Sequence, residues 1–251
     1  MKKVSSGILI CVKKFGDIDI IASFLTKNFG IVTGLIKAGQ TKKIKSFYQV
    51  GNVFLVEWFA RLSDQLGNIK ANILNQRYHL IMDNITRLEI LVCICNILNG
   101  IIINDENSNA IYKDVLNIID HLCNINLSHN EILRLYFLYE KSLLNNLGFG
   151  FDLSKCTVTG EKDISKLKYI SPTTAKAVSE IGAIGYEKKL FKMPEFFLIS
   201  KDINKIGKNE FQYANDILSY FFTKNIFIDK SDKSFLNRNI LIKNLLKNLN
   251  L

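Results

Sequence analysis

Residues 30–47 read Gly-Ile-Val-Thr-Gly-Leu-Ile-Lys-Ala-Gly-Gln-Thr-Lys-Lys-Ile-Lys-Ser-Phe. The first half alternates apolar and small residues as a strand does. The second half is a loop with Lys42, Lys43 and Lys45 in close succession. Gly34 and Gly39 permit close backbone approach or positive φ, which suits the bends of a small barrel. Lys37 stands at the strand end and the other three lysines lie beyond it. A mobile basic loop on a rigid sheet can hold a phosphate backbone without reading its bases. The plain alternative is a solvated lysine-rich loop that binds nothing.

Outward from this stretch, residues 4–75 carry four more strand-like runs. Residues 8–12 and 18–25 flank the turn Phe15-Gly16-Asp17. Residues 53–59 place Phe54, Val56 and Trp58 on one face and Val53, Leu55 and Phe59 on the other. Residues 68–74 follow Gly67. Five short strands with glycine-containing connections and no crossover helices point to a small antiparallel barrel. The OB-fold is the commonest such barrel that binds nucleic acid. Trp58 and Phe47 are candidates to stack on bases, with the core as the plainer place for Trp58.

Past Arg77 the apolar period lengthens. Residues 87–98, 110–123 and 132–147 have helical spacing. In the third, Ile132, Tyr136, Tyr139, Leu143 and Leu147 form one stripe, Ser128 and Glu131 a capping box, and Gly148 a stop. His121 and His129 read as capping or surface residues. Residues 149–206 are short and irregular, and two amphipathic helices follow over about 210–222 and 235–249. Phe211, Ala214, Leu218 and Phe221 are the buried stripe of the first. Arg238, Lys243 and Lys247 form a basic edge beside a Leu/Ile face on the second, for which a solvated helix face is the simple account. The expected organisation is a barrel over 1–78, a helical bundle over 79–148, an irregular element over 149–206 and C-terminal helices over 207–251 packing on the bundle.

The 251 residues carry a formal net charge of +10, and its distribution matters more than its sum. Residues 1–80 hold ten Lys and two Arg against four acids, a net of +8, leaving +2 for the remainder. A positive field confined to one third of the chain is the footprint of a polyanion-binding module. The N-terminal residues are not followed by an apolar run of signal length, and residues 90–103 are too short and too polar to span a bilayer. The five cysteines are scattered, which fits reduced thiols in a cytoplasmic protein. No histidine pair, CxxC pair, P-loop, dinucleotide fingerprint or Gly-x-Ser-x-Gly elbow is present, so no metal, cofactor or enzymatic chemistry is expected.

Three groups of residues resemble the bacterial RecO family. The first comprises Phe15-Gly16-Asp17-Ile18-Asp19, Phe24-Leu25-Thr26, Phe29-Gly30 and Lys37-Ala38-Gly39. The second is Leu143-Leu144 with Leu147-Gly148-Phe149-Gly150-Phe151-Asp152-Leu153, then Cys156, Thr159 and Gly160-Glu161. The third is Tyr169-Ile170-Ser171-Pro172, Ala175, Ala177-Val178-Ser179, Pro194 and Phe197. The resemblance implies an α+β chain: an N-terminal five-stranded OB-fold barrel, then a mostly helical region with a zinc-ribbon-like element. It implies a mediator of recombinational repair that binds single- and double-stranded DNA, anneals complementary strands and joins the ring-forming partner RecR. It also implies a grip on the acidic C-terminal tail of single-strand-binding protein, which assists recombinase loading. Three departures stand out. The family's proline before its fourth strand is replaced around Val50-Gly51, which leaves that strand boundary open. Only Cys156 remains of the family's four zinc cysteines, so the element is degenerate and no bound zinc is expected. Lysine replaces arginine in the basic loop, which keeps phosphate contact but loses bidentate geometry.

The DNA-contact candidates are therefore Lys37, Lys42, Lys43 and Lys45, flanked by Lys13, Lys14 and Arg61. Those for the partner tail are Arg238, Lys243 and Lys247. An RNA-binding OB protein linked to translation would use the same lysines, and a protein-interaction scaffold would use the helices instead.

Overall fold

The computed structural model describes residues 2–42, 44–60, 66–198, 206–229 and 232–247. Its contacts divide the chain into two compact units, residues 1–125 and 126–251.

In the first unit five strands, β1 (Lys2–Phe15), β2 (Asp19–Thr26), β3 (Ile31–Ile36), β4 (Val53–Phe59) and β5 (Gly67–Asn75), form a closed barrel in the order β1-β2-β3-β5-β4. Closure depends on β1, which pairs with β4 over Lys2 to Ile8 and with β2 over Gly7 to Phe15. A bulge between Leu9 and Cys11 bends the strand between its two partners. Leu9 there bonds to Asn52 and Gly51 instead, at 3.0 and 2.8 Å. The alternation seen in the sequence decides what fills the barrel. Phe24, Phe54, Val56, Trp58 and Ile69 point inward and are buried, while Leu55 on the opposite face of β4 is exposed. Trp58 is a core residue whose indole N–H donates to the Thr33 carbonyl at 3.0 Å. One expectation is corrected: the barrel is not wholly antiparallel, because β3 and β5 run parallel where they meet. They are not consecutive in the chain, so no hairpin dictates their direction.

Helices α1 (Tyr78–Ile81), α2 (Ile85–Asn99) and α3 (Asp105–Cys123) complete this unit. Asn84 caps α2 by accepting from the Arg87 amide. α2 is apolar on nearly every side and buries Ile90, Leu91, Ile94, Ile97 and Leu98, as a helix without a polar face must. α3 docks on β2 through Ser108, whose hydroxyl donates to the Thr26 carbonyl and accepts from the Gly30 amide at 2.9 Å. Gly30 has φ +59, and a Cβ there would stand 2.2 Å from the Ile103 carbonyl, so only glycine fits. The single bundle expected over 79–148 is thus split: α2 and α3 belong with the barrel, and the next helix with the second unit.

The second unit opens with α4 (His129–Asn146). The Ser128/Glu131 capping box is formed in both directions. At the other end Gly148, φ +87, closes a left-handed turn in which the Phe149 amide reaches the Leu144 carbonyl at 2.8 Å. A small antiparallel sheet follows in the order β7-β6-β8, from β6 (Leu167–Ile170), β7 (Ala177–Ser179) and β8 (Phe191–Lys192). Then come α5 (Lys208–Asn225) and α6 (Lys233–Lys247). The stripe Phe211, Ala214, Leu218 and Phe221 is buried as its spacing required. Among the described residues no helix is long and apolar enough to cross a membrane.

Candidate nucleic-acid interface

The basic stretch is held by its two ends. After β3, Ala38 takes φ +58, and its amide donates to the Asp19 carboxylate at 2.7 Å. The Gln40 amide donates to the Ile18 carbonyl at 2.8 Å, and the Gln40 side chain to the Asp19 carbonyl at 3.0 Å. Turns follow, with the Lys45 amide donating to Thr41 and the Phe47 amide to Ile44, both at 3.0 Å. Asn52 then ties the exit through its side-chain amide, whose NH2 donates to the Phe47 carbonyl at 2.8 Å and whose oxygen accepts from the Arg77 and Tyr78 backbone amides. The loop is therefore anchored at both ends rather than loosely tethered. Gly39 is needed for contact rather than for φ, since a Cβ there would stand 2.5 Å from Ile20.

This anchoring decides which lysines meet. Ile18 closes the β1–β2 turn and Asp19 begins β2, so their bonds to Gln40 and Ala38 bring that hairpin and the basic loop to one end of the barrel. Lys14 lies opposite Ile20, and Ile20 opposite Ile36, the residue before Lys37. Lys13, Lys14, Lys37, Lys42 and Lys45 are all exposed. Lys43 and Arg61 lie outside the described residues. Two acids of the barrel are already engaged: Asp19 as the loop anchor and Glu57 with Lys2 at 3.2 Å. Five lysines face two carboxylates at this end, Asp17 in the turn and Asp19, whose bond to a neutral amide leaves its charge, so the field there stays net positive. Phe47 is half-buried. Sequence reasoning passed over Lys70, whose signal was the outward alternation Asn68, Lys70, Asn72 against inward Ile69, Ala71 and Ile73.

The basic edge on the last helix is corrected at one position. Arg238 is fully buried and makes a bidentate pair with the equally buried Glu140, at 2.7 and 2.6 Å. The Tyr136 hydroxyl donates to the same carboxylate at 2.6 Å, and Arg238 also donates to Ser219 at 2.7 Å. It is the centre of a core network that joins α4, α5 and α6, not a surface cation. Lys243 and Lys247 are exposed and, with Lys208, line a groove of about 460 Å³ floored by Ile242 and Leu246.

A third cluster lies beside the small sheet. The Cys156 sulfur is buried and accepts from the Val158, Thr159 and Ser179 amides at 3.4, 3.3 and 3.1 Å, and from the Ser179 hydroxyl at 3.3 Å. Thr159 and Ser179 hydroxyls lie 3.1 Å apart, and a Cβ on Gly182 would sit 3.1 Å from the sulfur. Positions 156, 159, 179 and 182 thus converge with the pairwise spacing of a four-thiolate zinc site. The residues do not fit the metal, because they offer one thiol, two hydroxyls and no side chain. Burial alone would push the thiol up, but the Ser179 and Thr159 donors outweigh it and bring it down to about 6.

Two family models match the chain: "Recombination protein O N terminal" over residues 1–77 and "Recombination protein O C terminal" over residues 82–233. The DNA repair protein RecO of Wolbachia sp. subsp. Drosophila simulans is 31% identical over 245 residues, covering 96% of this chain and 99% of that protein. That of Ehrlichia chaffeensis is 32% identical, covering 97% and 98%. That of Rickettsia akari is 32% identical, covering 88% and 89%.

Proposed function

Since the chain belongs to the RecO family of DNA repair proteins, we propose that it is a non-enzymatic DNA-binding mediator that anneals complementary strands. We read the closed β1-β2-β3-β5-β4 barrel as an OB-fold. The observation that carries the reading is the gathering of Lys13, Lys14, Lys37, Lys42 and Lys45 at one barrel end, organised by Asp19 and Ile18. The mechanism is charge neutralisation. Exposed ammonium groups replace condensed counterions along a strand, which lowers the repulsion between two strands held together. Sequence information comes from base pairing, because lysine on phosphate carries none.

The sheet around Cys156 is, on this reading, a zinc ribbon whose metal has been replaced by hydrogen bonds to one sulfur. The groove of Lys208, Lys243 and Lys247 offers three cations above an apolar floor. That complements an acidic peptide with an apolar end, such as the tail of single-strand-binding protein. Joining RecR and assisting recombinase loading complete the proposed role. The direct test is annealing of complementary oligonucleotides by the purified protein without nucleotide. Acceleration over the spontaneous rate is the expected result, and no acceleration at low salt would refute the proposal.

A further inference from the structure

Four seams of the barrel share six to eight register pairs each, whereas β3 and β5 share two, Gly34–Gly67 and Leu35–Asn68. The two glycines account for this short junction. A Cβ on Gly34 would stand 2.7 Å from the Gly67 carbonyl, and one on Gly67 would stand 2.3 Å from the Trp58 indole nitrogen. The strands approach where side chains are missing and separate beyond. β3 stops at Ile36 while β5 continues to Asn75, and the opening between them is a cavity of about 580 Å³.

Its lining is specific. Lys37 stands at the end of β3, and Asn68, Lys70 and Asn72 lie on the outer face of β5, all four exposed. Tyr48 is half-buried with its ring stacked on Phe54, centroids 5.4 Å apart. Glu57, opposite Lys70 in register, is the one carboxylate on the lining, and Lys2 neutralises it at 3.2 Å. Two ammonium groups suit a phosphate. Two carboxamides, each with donors and an acceptor, suit the polar edge of a base. The volume lies in the range of small-molecule sites. A solvated basic surface would need neither the concavity nor the paired amides.

We propose that this opening in the β3–β5 seam holds one unstacked nucleotide of a bound DNA single strand. Lys37 and Lys70 face its phosphate; Asn68 and Asn72 flank Lys70 on the outer face of β5, so the base lies to one side of the phosphate against one of the two amides. This rests on the reading of the barrel as a strand-binding module, and it adds that binding depends on a base as well as on charge. A paired base cannot enter, so single strands are preferred to duplex.

The test uses the full chain and two labelled twelve-residue oligomers of equal charge, oligothymidylate and an abasic backbone, compared by fluorescence anisotropy. The wild type should bind oligothymidylate about tenfold more tightly, the size of one or two neutral hydrogen bonds. Asn68→Ala with Asn72→Ala should bring oligothymidylate down to the abasic level and leave abasic affinity unchanged. Lys70→Ala should weaken both alike. Equal binding of the two oligomers by the wild type, or a preference that survives loss of both amides, would overturn the slot alone. Binding of neither oligomer would overturn the strand-binding reading and the slot together.

Discussion

Cys156 and Arg238 are buried polar groups whose surroundings define their behaviour. In the unfolded chain the thiol titrates near its ordinary value of 9.0, and in the folded chain near 6. The unfolded state therefore binds more protons between those limits, and stability rises with pH across them. The contribution is complete above about 9 and gone below about 6. Melting temperatures of the wild type against Cys156→Ser over this window should diverge with rising pH, and parallel curves would refute the thiolate. Arg238 is tested by truncation rather than by pH. Removing it leaves Glu140 charged and buried, so Arg238→Ala should cost about 3–5 kcal/mol by denaturant unfolding. Arg238→Met with Glu140→Leu should recover most of that loss. The sequence showed Arg238 only as one cation on an amphipathic helix. Its partner lies 98 residues away, a separation that leaves no trace in local spacing.

At the scale of elements, period and punctuation were enough for most of the fold. The five strands, the capping box at Ser128 and the stop at Gly148 follow from alternation, side-chain chemistry and backbone freedom, which are local properties. The β3–β5 junction was not legible, because non-consecutive strands meet without any shared turn. The alternation of β5 marked Lys70 as outward-facing, but its setting beside Lys37 is created by a strand 33 residues earlier in the chain. The convergence of positions 159, 179 and 182 on Cys156 was not legible, since threonine, serine and glycine there carry no metal signature. Thr159→Cys, Ser179→Cys and Gly182→Cys together should bind about one zinc per chain and raise the melting temperature, as four converging thiolates do. The wild type should hold none by elemental analysis. Failure of the triple variant to take zinc while folded would show that the four positions do not share a metal geometry.

For the whole molecule, charge and core divide at different places. The positive excess lies in residues 1–80, yet the compact unit that contains them runs to Ile125, because the barrel is covered by α2 and α3. Residues 1–125 should therefore unfold cooperatively as an isolated fragment and bind DNA. A fragment ending at residue 78 exposes the surface that Leu91 and Ser108 cover and should not fold, as circular dichroism melts would report. The charge pattern was visible from composition, but its focusing at one barrel end depends on Asp19 reaching Ala38 across the sheet. The central claim is that these lysines neutralise phosphates. The most direct measurement is the slope of log affinity against log salt for a single strand, in wild type and in Lys37→Ala/Lys42→Ala/Lys45→Ala. Each lysine on a phosphate releases about 0.7 of a counterion, so the slope should flatten by roughly two units, equally for unrelated sequences. A folded triple variant that keeps the wild-type slope would contradict the account.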